Sequence, residues 1–188
     1  MKPSTDSLKG RERRIENAII EHPEGLGYPE ALAIRNWWVA PASGRVDIGL
    51  LPSTGDERLV LIEVKAARAP DAASKVVGQI LMYYAGALSL GSQGLSSLRR
   101  FAHDNRAQAC SPEPKTVRML SGGIRPREAA WKHFGTGERL LPSQLALFVA
   151  LDAEPHRALR PTLAALKAHH DLTVRLVLVR NGSIDVVN

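Results

Sequence analysis

Residues 60–65 read Val-Leu-Ile-Glu-Val-Lys. An apolar run this dense has the composition of a strand in a buried or central sheet position. Unpaired charges are costly there. Glu63 and Lys65 therefore need a reason to interrupt the run, and the rest of the chain must supply both the sheet and that reason.

The flanking segments supply the sheet. RERRIENAIIE (11–21) reads as a helix with Ile15 and Ile19 on one stripe and Ala18 beside it. Pro-Glu-Gly at 23–25 ends it. IRNWWVA (34–40), RVDIGLL (45–51) and RLVLIEVK (58–65) read as three strands joined by PASG and PSTGDE turns, an antiparallel meander. DAASKVVGQILMYYAGAL (71–88) is predicted as a long helix. QLALFVALD (144–152), a helix over 156–169 and TVRLVLV (173–179) form a predicted parallel βαβ unit. Asn181-Gly182 then offers a hairpin turn into SIDVV. The expected fold class is α/β, with a mixed sheet flanked by helices.

The length of 188 residues suits one domain. Its core is expected over 11–90 and 143–188, with an insertion at 91–142. A structureless loop of that length is unusual in a compact domain, so short helices or a lid are expected, one helix opening at Pro126. The insertion carries nine Lys and Arg against four acids, a net +5 of the chain's +6. Arg99, Arg100, Arg125 and Arg127 are thus candidates for a flap facing a polyanion.

No run is long and apolar enough for a bilayer, and no apolar signal core follows the basic N-terminus. The single cysteine, Cys110, has no partner for an internal disulfide. These features predict a cytoplasmic protein with no membrane partner. No zinc-ligand spacing, nucleophile elbow or phosphate-binding glycine loop occurs.

Alternation along the strands brings the charges together. Leu61, Glu63 and Lys65 face one way, with the last two roughly 7 Å apart along the backbone. In the preceding strand Asp47 and Gly49 share a face, opposite an apolar set of Val46, Ile48 and Leu50. Pairing these strands through a tight turn can put Asp47 beside Glu63, and Gly49 is expected to leave room near them. Two adjacent carboxylates repel unless a cation lies between them. Oxygen ligands of this kind select Mg²⁺ or Mn²⁺. A neighbouring lysine suits metal-assisted phosphodiester hydrolysis, by polarising water or stabilising charge on phosphate.

Asp47 in a Gly-Arg-Val-Asp-Ile context, fifteen residues, then Glu63-Val64-Lys65, resembles the motif of the PD-(D/E)XK nuclease superfamily. Gln79 and Tyr83 on the next helix resemble the QxxxY motif of its RecB-like branch. The segment Glu12 to Glu24, ERRIENAIIEHPE, is similar to the opening of NucS/EndoMS-type nuclease domains and of Shedu-type defence nucleases. The resemblance covers residues 12 to about 88. It implies a restriction-endonuclease-like core of order α-β-β-β-α-β, with a C-terminal β-α-β extension.

The resemblance also implies roles. Asp47 and Glu63 bind the metal, with the Val64 carbonyl and Glu12, often through water. Glu16 stays open as the alternative to Glu12. Lys65 acts on the attacking water or the phosphate, Gln79 orients Lys65 or a phosphate, and Tyr83 contacts the DNA backbone. Arg45 and Lys75 are candidate phosphate contacts. Of Trp37 and Trp38, which alternate in a strand, one is expected in the core and the other is available to stack on a base. Cleavage would leave a 5′-phosphate, in repair or in restriction-like defence. Many such nucleases dimerise, so a homodimer through the sheet edge near 183–187 is conceivable. The alternative is a nuclease fold without activity that binds nucleic acid or recruits a partner.

Overall fold

The computed structural model describes residues 5–40, 44–67, 72–104, 126–135 and 139–187. Six strands form one mixed sheet in sequence order: β1 (Leu32–Ala40), β2 (Gly44–Leu51), β3 (Leu59–Lys65), β4 (Leu145–Leu151), β5 (Val174–Arg180) and β6 (Ser183–Val187). β1, β2 and β3 are antiparallel neighbours. β3, β4 and β5 run parallel, and β6 returns antiparallel at the edge. The hairpin into β6 turns on Asn181 and Gly182, both with positive φ, as the Asn-Gly pair predicts.

Among the described residues, five helices flank the sheet: α1 (Thr5–Glu21), α2 (Ala72–Ser89), α3 (Ser92–Asp104), α4 (Pro126–Phe134) and α5 (Leu159–His170). α1 and a 3₁₀ turn at Pro23–Leu26 pack on one face, through Ile15, Ile19 and Leu26 against Ile48, Ile62 and Phe148. The other face carries Val76 and Ile80 of α2, Leu95 of α3, Phe134 of α4 and Leu159 of α5, over Leu61, Leu147 and Leu176. This sandwiching explains why β3 and β4 read as apolar runs: Leu59 to Val64 and Leu145 to Leu151 are buried throughout.

α1 begins at Thr5, before the predicted start at Arg11. Its first two turns carry no apolar stripe, so periodicity does not show them. The insertion is not simply a basic flap. Leu95, Ala130 and Phe134 come from it and are core residues. Arg58 holds the end of α4 through the Phe134 carbonyl, and His133 Nε2 lies 3.1 Å from the Glu57 carbonyl. α4 is thereby fixed at the start of β3. Cys110 and Arg125 lie outside the described residues, as do the side chains of Arg99 and Arg127.

Among the described residues, no helix is long and apolar enough to cross a membrane.

Candidate active site at the carboxyl end of the parallel strands

The β2–β3 ladder pairs Leu50 with Val60, Gly49 with Leu61 and Ile48 with Ile62. One step further the register sets Asp47 opposite Glu63, and there the ladder ends. β1 and β2 also lose a pair at this level, between Arg35–Ile48 and Trp37–Val46, where Asn36 has φ 48°. The strands therefore part at Asp47. Its Oδ2 accepts the Val64 N–H at 2.8 Å, doing for β3 what a ladder carbonyl would have done.

This break corrects the predicted alternation in β2. Ile48 and Leu50 do face α1, but Val46 packs with Trp37 on the α2 side. Gly49 also has a different use. A Cβ on it would stand 2.3 Å from Trp37 Cε3, so its missing side chain makes space for the indole, not for the site. Trp37 is the core tryptophan and Trp38 the exposed one.

Three carboxylates and one ammonium meet where the strands part. Lys65 Nζ lies 2.5 Å from Glu63 Oε1 and 3.8 Å from Asp47 Oδ2. Glu12 reaches in from α1, its Oε1 accepting the Ala66 N–H at 3.3 Å. Glu16, the alternative, points elsewhere, to Arg35 at 2.5 Å and Arg13 at 3.1 Å. Glu63 is the only fully buried charged residue among the described ones, at 0% exposure. Neither of its carboxylate oxygens has a hydrogen bond of good geometry, the close contact with Lys65 being an ion pair only.

The electrostatics follow from that burial. Desolvation, then the Asp47 charge, push the Glu63 carboxyl up to about 8, against the pull of Lys65. Asp47 is also raised, by burial first, with Lys65 and the Val64 N–H opposing. For Lys65, burial favours the neutral amine, but Glu63, Asp47 and Glu12 outweigh it and raise its pKa. The cluster thus holds more negative charge than one lysine neutralises.

Gln79 and Tyr83 lie on α2 beside this cluster, four residues apart on one helix face. Tyr83, expected to contact the DNA backbone, belongs to the inward stripe with Val76, Ile80 and Ala87 and is 3% exposed. Its hydroxyl donates to the Arg45 carbonyl at 2.8 Å, tying α2 to β2 two residues before Asp47. Burial, then Glu63 and Asp47, raise its pKa, so it stays protonated. Gln79 Oε1 is buried without a hydrogen-bond partner.

The remaining candidates are spread out. Arg45 is exposed, its guanidinium 5.3 Å over the Trp38 ring. Lys75 is exposed in the first turn of α2, and Arg100 is exposed on α3, which packs along β1.

One residue was not foreseen. Asp152 follows β4 directly, and the parallel pairing of Lys65 with Leu151 sets it beside the end of β3. Its Oδ1 accepts the Ala67 N–H at 3.0 Å, and its Oδ2 pairs with Arg11 Nε. The LFVALD ending of β4 holds the only signal, an acid closing an apolar strand, as Glu63 interrupts β3.

Among the described residues, no three His, Cys, Asp or Glu side chains stand as a ready-made metal cluster. The donors still suit a hard divalent cation: they are carboxylate oxygens, in excess of their cation, and the two of Glu63 are buried with no hydrogen bond of good geometry. No family model matches the chain, and neither the curated proteins nor the solved structures return a match.

Proposed function

We propose that this protein is a Mg²⁺- or Mn²⁺-dependent nuclease that hydrolyses phosphodiester bonds of DNA, built on a restriction-endonuclease-like core. One observation carries the reading. Glu63 is a fully buried carboxylate with no hydrogen bond of good geometry, held against Asp47 and the Lys65 ammonium where β3 ends in the parallel part of the sheet. Burying such a set costs several kcal/mol relative to apolar side chains, so stability alone is a poor reason for it. In open α/β sheets, ligand sites gather at the carboxyl ends of the strands.

Asp47 and Glu63 would hold the cation, with the Val64 carbonyl and Glu12 completing the donors. A bound divalent cation supplies Lewis-acid polarisation of the phosphate and a more acidic water. The other tasks belong to the chain. Lys65 carries its proton throughout the neutral range and presents it to the water or to a phosphate oxygen. Tyr83 fixes β2, and so Asp47, against α2. Gln79 has an acceptor in hand to orient the Lys65 ammonium.

A second reading rests on Lys65. Its ammonium already pairs with both carboxylates, so the cluster can stand as an ion pair without a metal, in a nucleic-acid-binding or partner-recruiting module. The readings part on supercoiled plasmid and labelled single-stranded DNA, incubated with Mg²⁺, Mn²⁺ or EDTA. Metal-dependent cleavage, reduced about 10²-fold or more in Glu63→Gln and Lys65→Ala proteins of native circular dichroism, supports the enzyme. No cleavage with either metal supports the binding module.

A further inference from the structure

The acidic cluster repels the phosphates a nuclease must accept, so cations have to flank it. Beyond the Arg11–Asp152 pair, a cleft of about 720 Å³ opens between α1 and the β5–β6 turn. Arg11, Arg14, Arg180, Asn181 and Gly182 line it, with Asp152, which holds the turn leaving β3, in its wall. Glu21 also lines the cleft, so its cationic excess is small in number but well placed. Arg14 is exposed and makes no ion pair with a described residue. Arg11 uses Nε for Asp152 and Arg180 uses one terminal nitrogen for Glu154, which leaves donors on both guanidinium forks. The cleft lies where β4 and β5 end, on the same rim of the sheet as Lys65.

We propose that this cleft, through Arg14 and Arg180, binds backbone phosphates of the nucleic-acid strand next to the cleaved bond, so that the strand crosses the rim of the sheet from β2 towards the β5–β6 turn. This rests on the nuclease reading for the word "cleaved", but the binding itself is measured without cleavage. A labelled single-stranded oligonucleotide is titrated in EDTA over a series of salt concentrations, with fluorescence anisotropy as the readout. Arg14→Ala and Arg180→Ala are each expected to weaken binding several-fold and to lower the slope of log affinity against log salt by about 1. Lys132→Ala removes a charge from α4, at the far end of β3, and is expected to leave that slope unchanged. Arg14→Lys is expected to keep the parent slope.

The proposal is overturned if the oligonucleotide does not bind, or if the cleft variants keep the parent slope. It is also overturned if Lys132→Ala matches them, or if a deoxynucleoside monophosphate binds as tightly as the oligonucleotide, which would make the cleft a nucleotide pocket. Loss of the nuclease reading has a different signature: cleft-dependent binding with no cleavage on adding Mg²⁺ or Mn²⁺.

Discussion

Asp47 Oδ2 accepts the main-chain N–H of Val64 at 2.8 Å, so the carboxylate that faces Glu63 also closes the gap between β2 and β3. The two tasks separate by substitution. Asp47→Asn keeps an acceptor for Val64 and removes the charge that helps to raise Glu63. The folded protein should persist, and Glu63 should titrate below about 8 while burial keeps it above 4.5. The infrared carbonyl band of the protonated carboxyl, followed against pH in both proteins, measures this. Asp47→Ala instead strands a buried amide and should lower stability by about 1–3 kcal/mol. Both variants should lose metal-dependent cleavage.

A second prediction concerns pH in the presence of EDTA. The folded protein holds the Glu63 proton up to about 8, whereas the unfolded chain releases it near 4.5. Between those values the native state binds more protons than the unfolded one, so stability falls as pH rises. Asp47, also raised, adds to the same trend. The melting temperature by scanning calorimetry should therefore be higher near pH 5 than near pH 8. Glu63→Gln, neutral at both, should flatten most of that difference and raise the value at pH 8. A Glu63→Gln protein that keeps the parent pH dependence would contradict the assigned cause.

Gly49→Ala makes the third. Trp37 is fully buried, with its ring 6.0 Å from that of Phe134 and tilted by 50° to it. A Cβ at 2.3 Å from its ring forces backbone or ring to shift, at a cost of about 1–3 kcal/mol. For a chain this size each kcal/mol corresponds to a melting shift of about 2–4 °C. Adding Trp37→Leu should recover part of the loss, because the collision is then relieved. An additive double variant would place the strain elsewhere.

Much of this site was legible in the chain because it depends on local rules. Alternation sets Glu63 and Lys65 on one side of β3, and a short β2–β3 connection fixes the register that brings Asp47 opposite. Glu12 was implied by the resemblance of residues 12–24, with Glu16 left open, and the stripe of Ile15 and Ile19, which orients α1 on the sheet, agrees with it. What stayed hidden depends on long-range packing. The burial of Tyr83 follows from the whole inward stripe of α2, and the use of Gly49 from an indole on another strand. The core role of Phe134 needs a helix more than seventy residues beyond the strand start it caps. The kink at Asn36 has no sequence cue beyond the tolerance of asparagine for positive φ.

Asp152 is the clearest case of that kind, and it yields the last prediction. It stands 85 residues from Ala67 in the chain and meets it only because β3 and β4 run parallel in register. Through Oδ1 it holds the turn leaving β3, and through Oδ2 it holds Arg11, the residue before Glu12. Glu12 in turn bonds Ala66, one residue before Ala67. Asp152 therefore sets the position of the first helix over the site without touching the carboxylate cluster itself. Asp152→Ala should reduce kcat by about tenfold or more with little change in KM, since misplacing a group by a small distance costs rate before it costs binding. Amide exchange at Ala66 and Ala67 should quicken in the same variant. Reversing the pair, with Arg11→Asp and Asp152→Arg together, should restore part of the rate that either single change loses. If the double variant is no better than the worse single one, the pair does not act by holding the helix, and Asp152 must serve the site in another way.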